Sequence, residues 1–106
     1  MQEITATELK KQMDAGEDIQ LIDVRNQDEN AFARIEGAKL IPLGEILTRM
    51  NEIDSTRETV IHCKAGGRSA KAIEALERSG FKGTLKNLKG GITAWSNEVD
   101  PNVPKY

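Results

Sequence analysis

Short apolar segments alternate with amphipathic segments along the whole chain. Residues 19–24 (IQLIDV) are mostly apolar and β-branched, which is typical of a strand covered on both faces. Similar runs bounded by turn residues predict further strands at residues 38–43, 58–63 and 83–88. Because helical segments separate these strands, we expect an α/β fold with right-handed crossovers, a parallel sheet and helices on both faces of the sheet.

The first predicted helix has clear signals at both ends. Thr5 followed by Glu8 is the signature of a capping box, and Gly16 ends the helix that it opens over residues 6–15. The pattern also predicts helices at residues 28–32, 45–50, 69–79 and 90–99. The end of the chain is interrupted by prolines, so we expect it to be extended.

Composition narrows the classes of function. A chain of 106 residues is expected to form one domain, residues 1–106, that buries a core without disulfides or metals. A formal net charge of −2 gives no broad basic surface, so we expect no nucleic-acid partner. One cysteine and one histidine cannot form an internal disulfide or the usual four-ligand zinc site, and we predict no metal and no cofactor. With no leader pattern and no long apolar run, we expect a cytoplasmic protein that does not bind membranes.

The only cysteine and the only histidine are neighbours at the end of a predicted strand. Cys63 falls at the carboxyl edge of the predicted sheet, where parallel sheets place their ligand sites. A histidine is the usual base for a thiol, but neighbouring side chains of a strand point to opposite faces. We therefore expect His62 to pack or to form hydrogen bonds, and we do not expect it to activate the thiol.

The segment around the cysteine is suited to hold an anion. A helix begins here, with Ser69 as its predicted N-cap, and helix N-termini offer free N–H groups and partial positive charge. Two glycines let the backbone close around a central anion, and a lysine and an arginine add charge. The pattern predicts a stabilised thiolate and an anionic substrate. We call this segment the cysteine loop; it consists of Cys63, Lys64, Ala65, Gly66, Gly67, Arg68 and Ser69.

Three separated motifs carry a family resemblance. CKAGGRS after TVIH, with LIDVR upstream and LKGGITAW downstream, resembles the rhodanese-like sulfurtransferase domain. The likeness runs from about residue 4 to about residue 95, in the order that the family shows. The resemblance implies a three-layer α/β/α fold around a central five-stranded parallel sheet.

The resemblance also implies roles for individual residues. Cys63 corresponds to the cysteine that accepts a sulfane sulfur as a persulfide, and residues 64–68 correspond to the loop whose amides surround that sulfur. Asp23 and Arg25 correspond to the family's charged pair, for which we expect a supporting role rather than direct chemistry. One departure is Arg34, which stands where the family often has a histidine; that histidine is generally a support residue.

The end of the chain extends the resemblance. WSNEVDPNVPKY is similar to the tail of rhodanese domains fused behind adenylylating enzymes that activate ubiquitin-like sulfur-carrier proteins. The expected partners are therefore a small anionic sulfur donor, such as thiosulfate or a persulfide, and a thiophilic acceptor: cyanide, a thiol or a ubiquitin-like sulfur-carrier protein. Because the chain has no second cysteine, an outside acceptor must discharge the persulfide.

Two other functions compete with sulfur transfer. Phosphatases with a cysteine loop need a longer spacing between cysteine and arginine than the four residues 64–67 present here, so we expect no useful phosphatase activity. A non-catalytic module for protein interaction is the main alternative. Modules of that kind commonly lack the loop cysteine, whereas this chain keeps the thiol, both glycines and the two cations.

Overall fold

The computed structural model describes all 106 residues and contains five strands and four α-helices. In chain order these are β1 (Glu3–Ile4), α1 (Ala6–Asp14), β2 (Ile19–Asp23), α2 (Gln27–Phe32), β3 (Lys39–Leu40), β4 (Glu58–His62), α3 (Gly67–Arg78), β5 (Leu85–Leu88) and α4 (Gly91–Glu98). None of these helices combines the length and hydrophobicity that crossing a bilayer requires.

The five strands form one parallel sheet in the order β1-β5-β4-β2-β3. This confirms the five-stranded parallel sheet that the family resemblance implied. The hydrophobic pattern identified four of the strands and missed β1, since Glu3–Ile4 is too short to show a period. In the central pair, Asp23 of β2 lies opposite His62 of β4, so the two strands end at the same edge.

The core lies on both faces of the sheet. Leu21 and Val60 belong to one buried cluster, which also contains side chains of α1 and α4. Their neighbours Ile22 and Ile61 belong to a second cluster, which contains side chains of α3. Alternate residues of β2 and β4 therefore face opposite layers, and each buried aliphatic side chain contributes about 1.5–3 kcal/mol through removal from water. The predicted three-layer α/β/α arrangement is confirmed.

The helix predicted at residues 45–50 is wrong. Two short 3₁₀ turns, Leu43–Glu45 and Met50–Glu52, occupy this region instead. Ile46 and Thr48 are β-branched, which lowers the helix propensity of this segment, and Ile46 is anchored in the core without a continuous helix around it. The capping box of α1 is confirmed, since Thr5 and Glu8 exchange both of its hydrogen bonds.

Candidate active site

Cys63 sits in a tight connection between β4 and α3. The strand ends at His62 and the helix begins at Gly67, with Gly66 as the N-cap at a φ of +117°. Only glycine adopts this conformation readily, and it turns the chain directly into the helix. The prediction that Ser69 is the N-cap is therefore wrong: Ser69 lies within the first turn of α3, and its side chain is buried.

Two groups of the cysteine loop contact the sulfur directly. The Gly66 backbone N–H donates a hydrogen bond to Cys63 Sγ at 3.0 Å, and the Ser69 hydroxyl lies 3.3 Å from the same atom. Cys63 is buried, with 2% of its surface exposed. The early start of α3 thus brings both a backbone amide and a hydroxyl to one sulfur atom.

These contacts shift the equilibrium of the thiol toward its anion. Burial raises the pKa of Cys63, because it removes the thiolate from water. The Ser69 hydroxyl and the backbone amides of Ser69, Gly66 and Ala65 act in the opposite direction, and together they hold the pKa below its usual value. The loop therefore favours a thiolate chiefly through hydrogen bonds.

His62 is buried on the strand and forms no hydrogen bond with the sulfur. Its Nδ1 atom lies 3.3 Å from the Cys63 carbonyl oxygen, and its Nε2 atom has no partner. Burial lowers the pKa of His62, although the nearby Asp23 carboxylate opposes this effect. A neutral, buried imidazole supports the Cys63 backbone and, as expected, is not placed to take the proton of the thiol.

Asn87 on β5 is part of the site and was not identified from the sequence. Its Oδ1 accepts a hydrogen bond from the Ser69 hydroxyl at 2.6 Å, so the hydroxyl shares its one proton between Asn87 and the sulfur. The Nδ2 of Asn87 donates to the Gly66 carbonyl at 3.1 Å. Asn87 therefore holds both residues that contact the Cys63 sulfur. The sequence contains one indication of this role. Asn87 places a polar amide side chain within LKNL, a segment that is otherwise typical of a strand and that pairs with β4.

The N-terminus of α4 fixes the loop from a second side. The backbone N–H groups of Ile92 and Thr93 donate to the carbonyls of Cys63 and Lys64, at 3.0 and 3.1 Å. Gly91 has a φ of +57°, and a Cβ at this position would overlap the Lys64 carbonyl and lie 2.6 Å from the Cys63 oxygen. The second glycine of LKGGITAW is therefore required by close backbone contact.

The two cations of the cysteine loop have different partners. Arg68 forms a two-pronged ion pair with Glu29 on α2, with N–O distances of 2.7 and 3.0 Å. This pair lowers the pKa of Glu29 to about 2, chiefly through the hydrogen bonds from Arg68. The Lys64 ammonium has no ion pair and lies 4.5 Å from the centre of the Tyr106 ring. The sequence predicted both charges beside the cysteine, but not that Glu29 compensates one of them.

Asp23 and Arg25 form a buried ion pair beside the loop. Two guanidinium nitrogens of Arg25 donate to the two carboxylate oxygens of Asp23, at 2.9 and 2.7 Å, and both residues are fully buried. Burial raises the pKa of Asp23, but the bonds from Arg25 outweigh it and keep the pKa below its usual value. Arg25 also donates to the Ala33 carbonyl at 2.6 Å. The pair joins the end of β2 to the end of α2, which suits the supporting role predicted for it.

Arg34, where the sequence departs from the family pattern, is not part of the site. Arg34 is exposed and forms neither an ion pair nor a side-chain hydrogen bond. Its neighbours Ala33 and Ile35 are buried and supply the packing in this segment. The structure also contains no group of three or more histidine, cysteine, aspartate or glutamate side chains arranged to hold a metal ion.

Comparison with known proteins identifies the family. Residues 5–98 match the model of the rhodanese-like domain. The chain is 37% identical over 105 residues to a protein of Mycobacterium tuberculosis named "Probable adenylyltransferase/sulfurtransferase MoeZ", covering 97% of this chain and 26% of MoeZ, so it spans about a quarter of that relative. It is 38% identical over 101 residues to a protein of Allochromatium vinosum named "Sulfurtransferase", covering 95% of this chain and 94% of that protein.

A solved structure gives the same result. The crystal structure of a rhodanese-like domain protein from Staphylococcus aureus superposes with a TM-score of 0.84 at 35% identity, covering 100% of this chain and 99% of that one. The fold, the strand-to-helix cysteine loop and these comparisons define the class. This chain belongs to the rhodanese-like domain family, and its relatives include proteins named as sulfurtransferases.

Proposed function

We propose that this protein is a rhodanese-type sulfurtransferase that carries sulfur on Cys63. The observation that supports this best is the buried sulfur itself, which accepts a hydrogen bond from Gly66 N–H at 3.0 Å and lies 3.3 Å from the Ser69 hydroxyl. Both groups stabilise negative charge on sulfur, so no neighbouring base is needed. Relatives named as sulfurtransferases support the same reaction class.

In the first half-reaction, the Cys63 thiolate attacks the outer sulfur of thiosulfate or of a persulfide donor. A new S–S bond forms on Cys63, the old bond to the outer sulfur breaks, and the leaving sulfite or thiolate takes the electron pair. In the second half-reaction, cyanide or a thiolate, free or carried by a protein, attacks the same outer sulfur. The Cys63 thiolate is then released with its electron pair, so sulfur is transferred without an added oxidant or reductant.

The proposed loop roles follow from the contacts described above. Gly66 and Ser69 hold the sulfur. The rest of the anion-binding turn around it consists of Lys64, Ala65, Gly67 and Arg68. Asp23 and Arg25 keep the end of β2 in place beside the loop. The proposed substrate is a small anionic sulfur donor.

The acceptor class that we propose is a thiol or a ubiquitin-like sulfur-carrier protein. The tail resemblance and the match to a protein named as an adenylyltransferase/sulfurtransferase support a carrier protein. A single free thiol that cycles through a persulfide suits a reducing compartment, and the proposed location is the cytoplasm.

Intact-mass measurement tests the proposal directly. Incubation with thiosulfate should add one sulfur atom to the wild-type protein, and cyanide should remove it with release of thiocyanate. Cys63→Ser should gain no sulfur. Absence of the added sulfur in the wild type, or an equal gain in Cys63→Ser, would overturn the proposal.

The same assay separates the enzyme from the non-catalytic interaction module. Thiocyanate release from thiosulfate and cyanide should be far faster with the wild type than with Cys63→Ala. Equal rates would favour the interaction module. Phosphatase activity is expected to be absent, and hydrolysis of p-nitrophenyl phosphate that disappears in Cys63→Ser would contradict this expectation.

A further inference from the structure

The segment after α4 returns to the cysteine loop and ends there with Tyr106. The Tyr106 hydroxyl accepts a hydrogen bond from Arg25 Nη1 at 2.8 Å and donates one to Glu29 Oε2 at 2.7 Å. Glu29 is the carboxylate that holds Arg68. One hydroxyl therefore links the buried Asp23–Arg25 pair to the ion pair of the loop.

The ring of Tyr106 makes a second, separate contact with the loop. The Lys64 ammonium lies 4.5 Å from the ring centre, within the range of a cation–π interaction. Phe32 packs edge-on against the same ring, with centroids 6.1 Å apart and an interplanar angle of 82°. The position of the ring is therefore fixed in two ways, by the hydrogen bonds of its hydroxyl and by its packing against Phe32.

We propose that Tyr106 is a positioning residue that fixes the positive charge beside Cys63 and so determines the preference of the site for anionic sulfur donors. This inference rests on the proposed function. Tyr106 reaches both cations of the cysteine loop: Lys64 through its ring and Arg68 through Glu29.

The physical reason lies in the flexibility of lysine. The Lys64 ammonium ends a four-carbon stem and would otherwise sample many positions in water. Contact with a ring that is anchored to the buried Arg25 restricts the ammonium to the region of that ring, and Lys64 itself is the residue next to Cys63 in the chain. Arg68, in contrast, is compensated by Glu29, so Lys64 is the loop cation without an acidic partner.

Alkylation of Cys63 by two reagents measures this charge without any sulfur chemistry. Iodoacetate is an anion and iodoacetamide is neutral, so the ratio of their rates on one thiolate reports local charge and cancels the effects of thiol pKa and access. Tyr106→Leu should lower the iodoacetate preference about two- to fivefold, the factor to which an exposed cation–π contact corresponds. Tyr106→Phe, which keeps the ring, should fall between wild type and Tyr106→Leu.

Two further variants test whether Tyr106 changes the alkylation ratio through Lys64. In the Lys64→Gln background, Tyr106→Leu should change the ratio less than it does in the wild type, because the ring then has no ammonium to hold. Met13→Ala removes another partly exposed apolar side chain, near Ile19 at the opposite edge of the sheet, and should leave the ratio unchanged. An unchanged ratio in Tyr106→Leu, or an equal effect with and without Lys64, would overturn the proposal.

Kinetics with thiosulfate complete the test and separate it from the proposed function. Tyr106→Leu should raise KM for thiosulfate about two- to fivefold and leave kcat unchanged, and added salt should narrow the gap to wild type. If the wild type forms no persulfide, the proposed function fails, while the alkylation ratio still decides the role of Tyr106. If the persulfide forms but both KM and the ratio stay at wild-type values in Tyr106→Leu, only the inference about Tyr106 fails. Tyr106 is 42% exposed, so its replacement leaves the core intact.

Discussion

At the scale of single residues, the charge state of one sulfur depends on opposing effects. Burial of Cys63 favours the neutral thiol, whereas the Ser69 hydroxyl and the Gly66 amide favour the thiolate. The hydrogen bonds prevail, so the pKa of Cys63 lies below its usual value. Asn87 matters here because it holds both Ser69 and Gly66 in place.

Ser69→Ala should raise the pKa of Cys63, because it removes the hydroxyl that contributes most to stabilising the thiolate. Alkylation by iodoacetamide at neutral pH should slow about five- to tenfold, as expected for loss of a hydrogen bond worth about 1 kcal/mol whose proton is shared with Asn87. The rate as a function of pH gives the measurement. Ser96→Ala is the matched control, since Ser96 is also buried but donates to the Val103 carbonyl. Overlapping profiles for Ser69→Ala and wild type would contradict the assignment.

At the scale of secondary structure, two helix N-termini meet at the cysteine loop. The turn before α3 presents the Gly66 amide to the sulfur, and the start of α4 binds the carbonyls of Cys63 and Lys64. Each helix begins after a glycine with positive φ, Gly66 and Gly90. The loop is held on both sides, because the free backbone N–H groups at the two helix N-termini need hydrogen-bond acceptors and find them in the loop.

Gly91→Ala should displace the cysteine loop. The added Cβ would overlap the Lys64 carbonyl, and the φ of +57° is unfavourable for alanine. We expect a loss of about 2 kcal/mol or more in the free energy of unfolding, measured with a chemical denaturant, and slower alkylation of Cys63. Gly44→Ala is the control, because open space surrounds Gly44; its effect should stay within about 0.5 kcal/mol. Equal stability of the two variants would show that the contact at Gly91 is unimportant.

At the scale of the whole molecule, a chain of polar contacts joins distant segments around the sheet edge. The Asp23–Arg25 pair lies at the end of β2, and Glu29 lies on α2. Tyr106, in the segment after α4, forms hydrogen bonds with both Arg25 and Glu29. Arg68 connects this network to the cysteine loop. The network spans most of the chain and surrounds one side of the site, so its charges influence both stability and electrostatics.

Arg25→Met should destabilise the fold strongly. It leaves the buried Asp23 carboxylate without its cation, and breaking a buried pair in this way costs about 3–5 kcal/mol. Arg57→Met removes an arginine that pairs with the exposed Asp18, and should cost about 0–1 kcal/mol. Denaturant unfolding of both variants gives the comparison. A loss at Arg25 no larger than the loss at Arg57 would contradict the structural role of the buried pair.

Acid should remove the stabilisation that Glu29 provides. The pKa of Glu29 in the folded protein is about 2, below its ordinary value of 4.5, chiefly because of Arg68. A lowered folded pKa stabilises the protein above the ordinary pKa, and this stabilisation is lost as pH falls through 4.5 toward 2. The difference in unfolding free energy between wild type and Glu29→Gln should therefore be constant near neutral pH and shrink over that acidic window.

The control for this experiment is Glu77→Gln. Glu77 is exposed and forms no ion pair, so its variant should follow the wild-type curve closely. Unfolding measured at a series of pH values from neutral to acidic provides both comparisons. A difference for Glu29→Gln that does not change between neutral pH and about pH 3 would show that the Arg68 pair contributes no pH-dependent stability.

The sequence by itself determined the features that depend on neighbours along the chain. Strand β4, the glycines of the loop and the apolar face of α3 are local patterns, and the three motifs occur within short segments. These patterns predicted the parallel sheet and the thiol at its edge. The N-cap prediction failed at Ser69, because Gly66 allows a tighter turn and an earlier helix start than the serine signal indicates.

Only the tertiary structure decided which side chains surround the site. Ser69 meets Asn87 across 18 residues, Arg68 meets Glu29 across 39, and Tyr106 meets Glu29 across 77. No local period encodes such contacts, since they depend on the order in which the strands assemble in the sheet. The physical reason is that hydrogen bonds and ion pairs act over a few ångströms in space, whatever the separation of the residues in sequence.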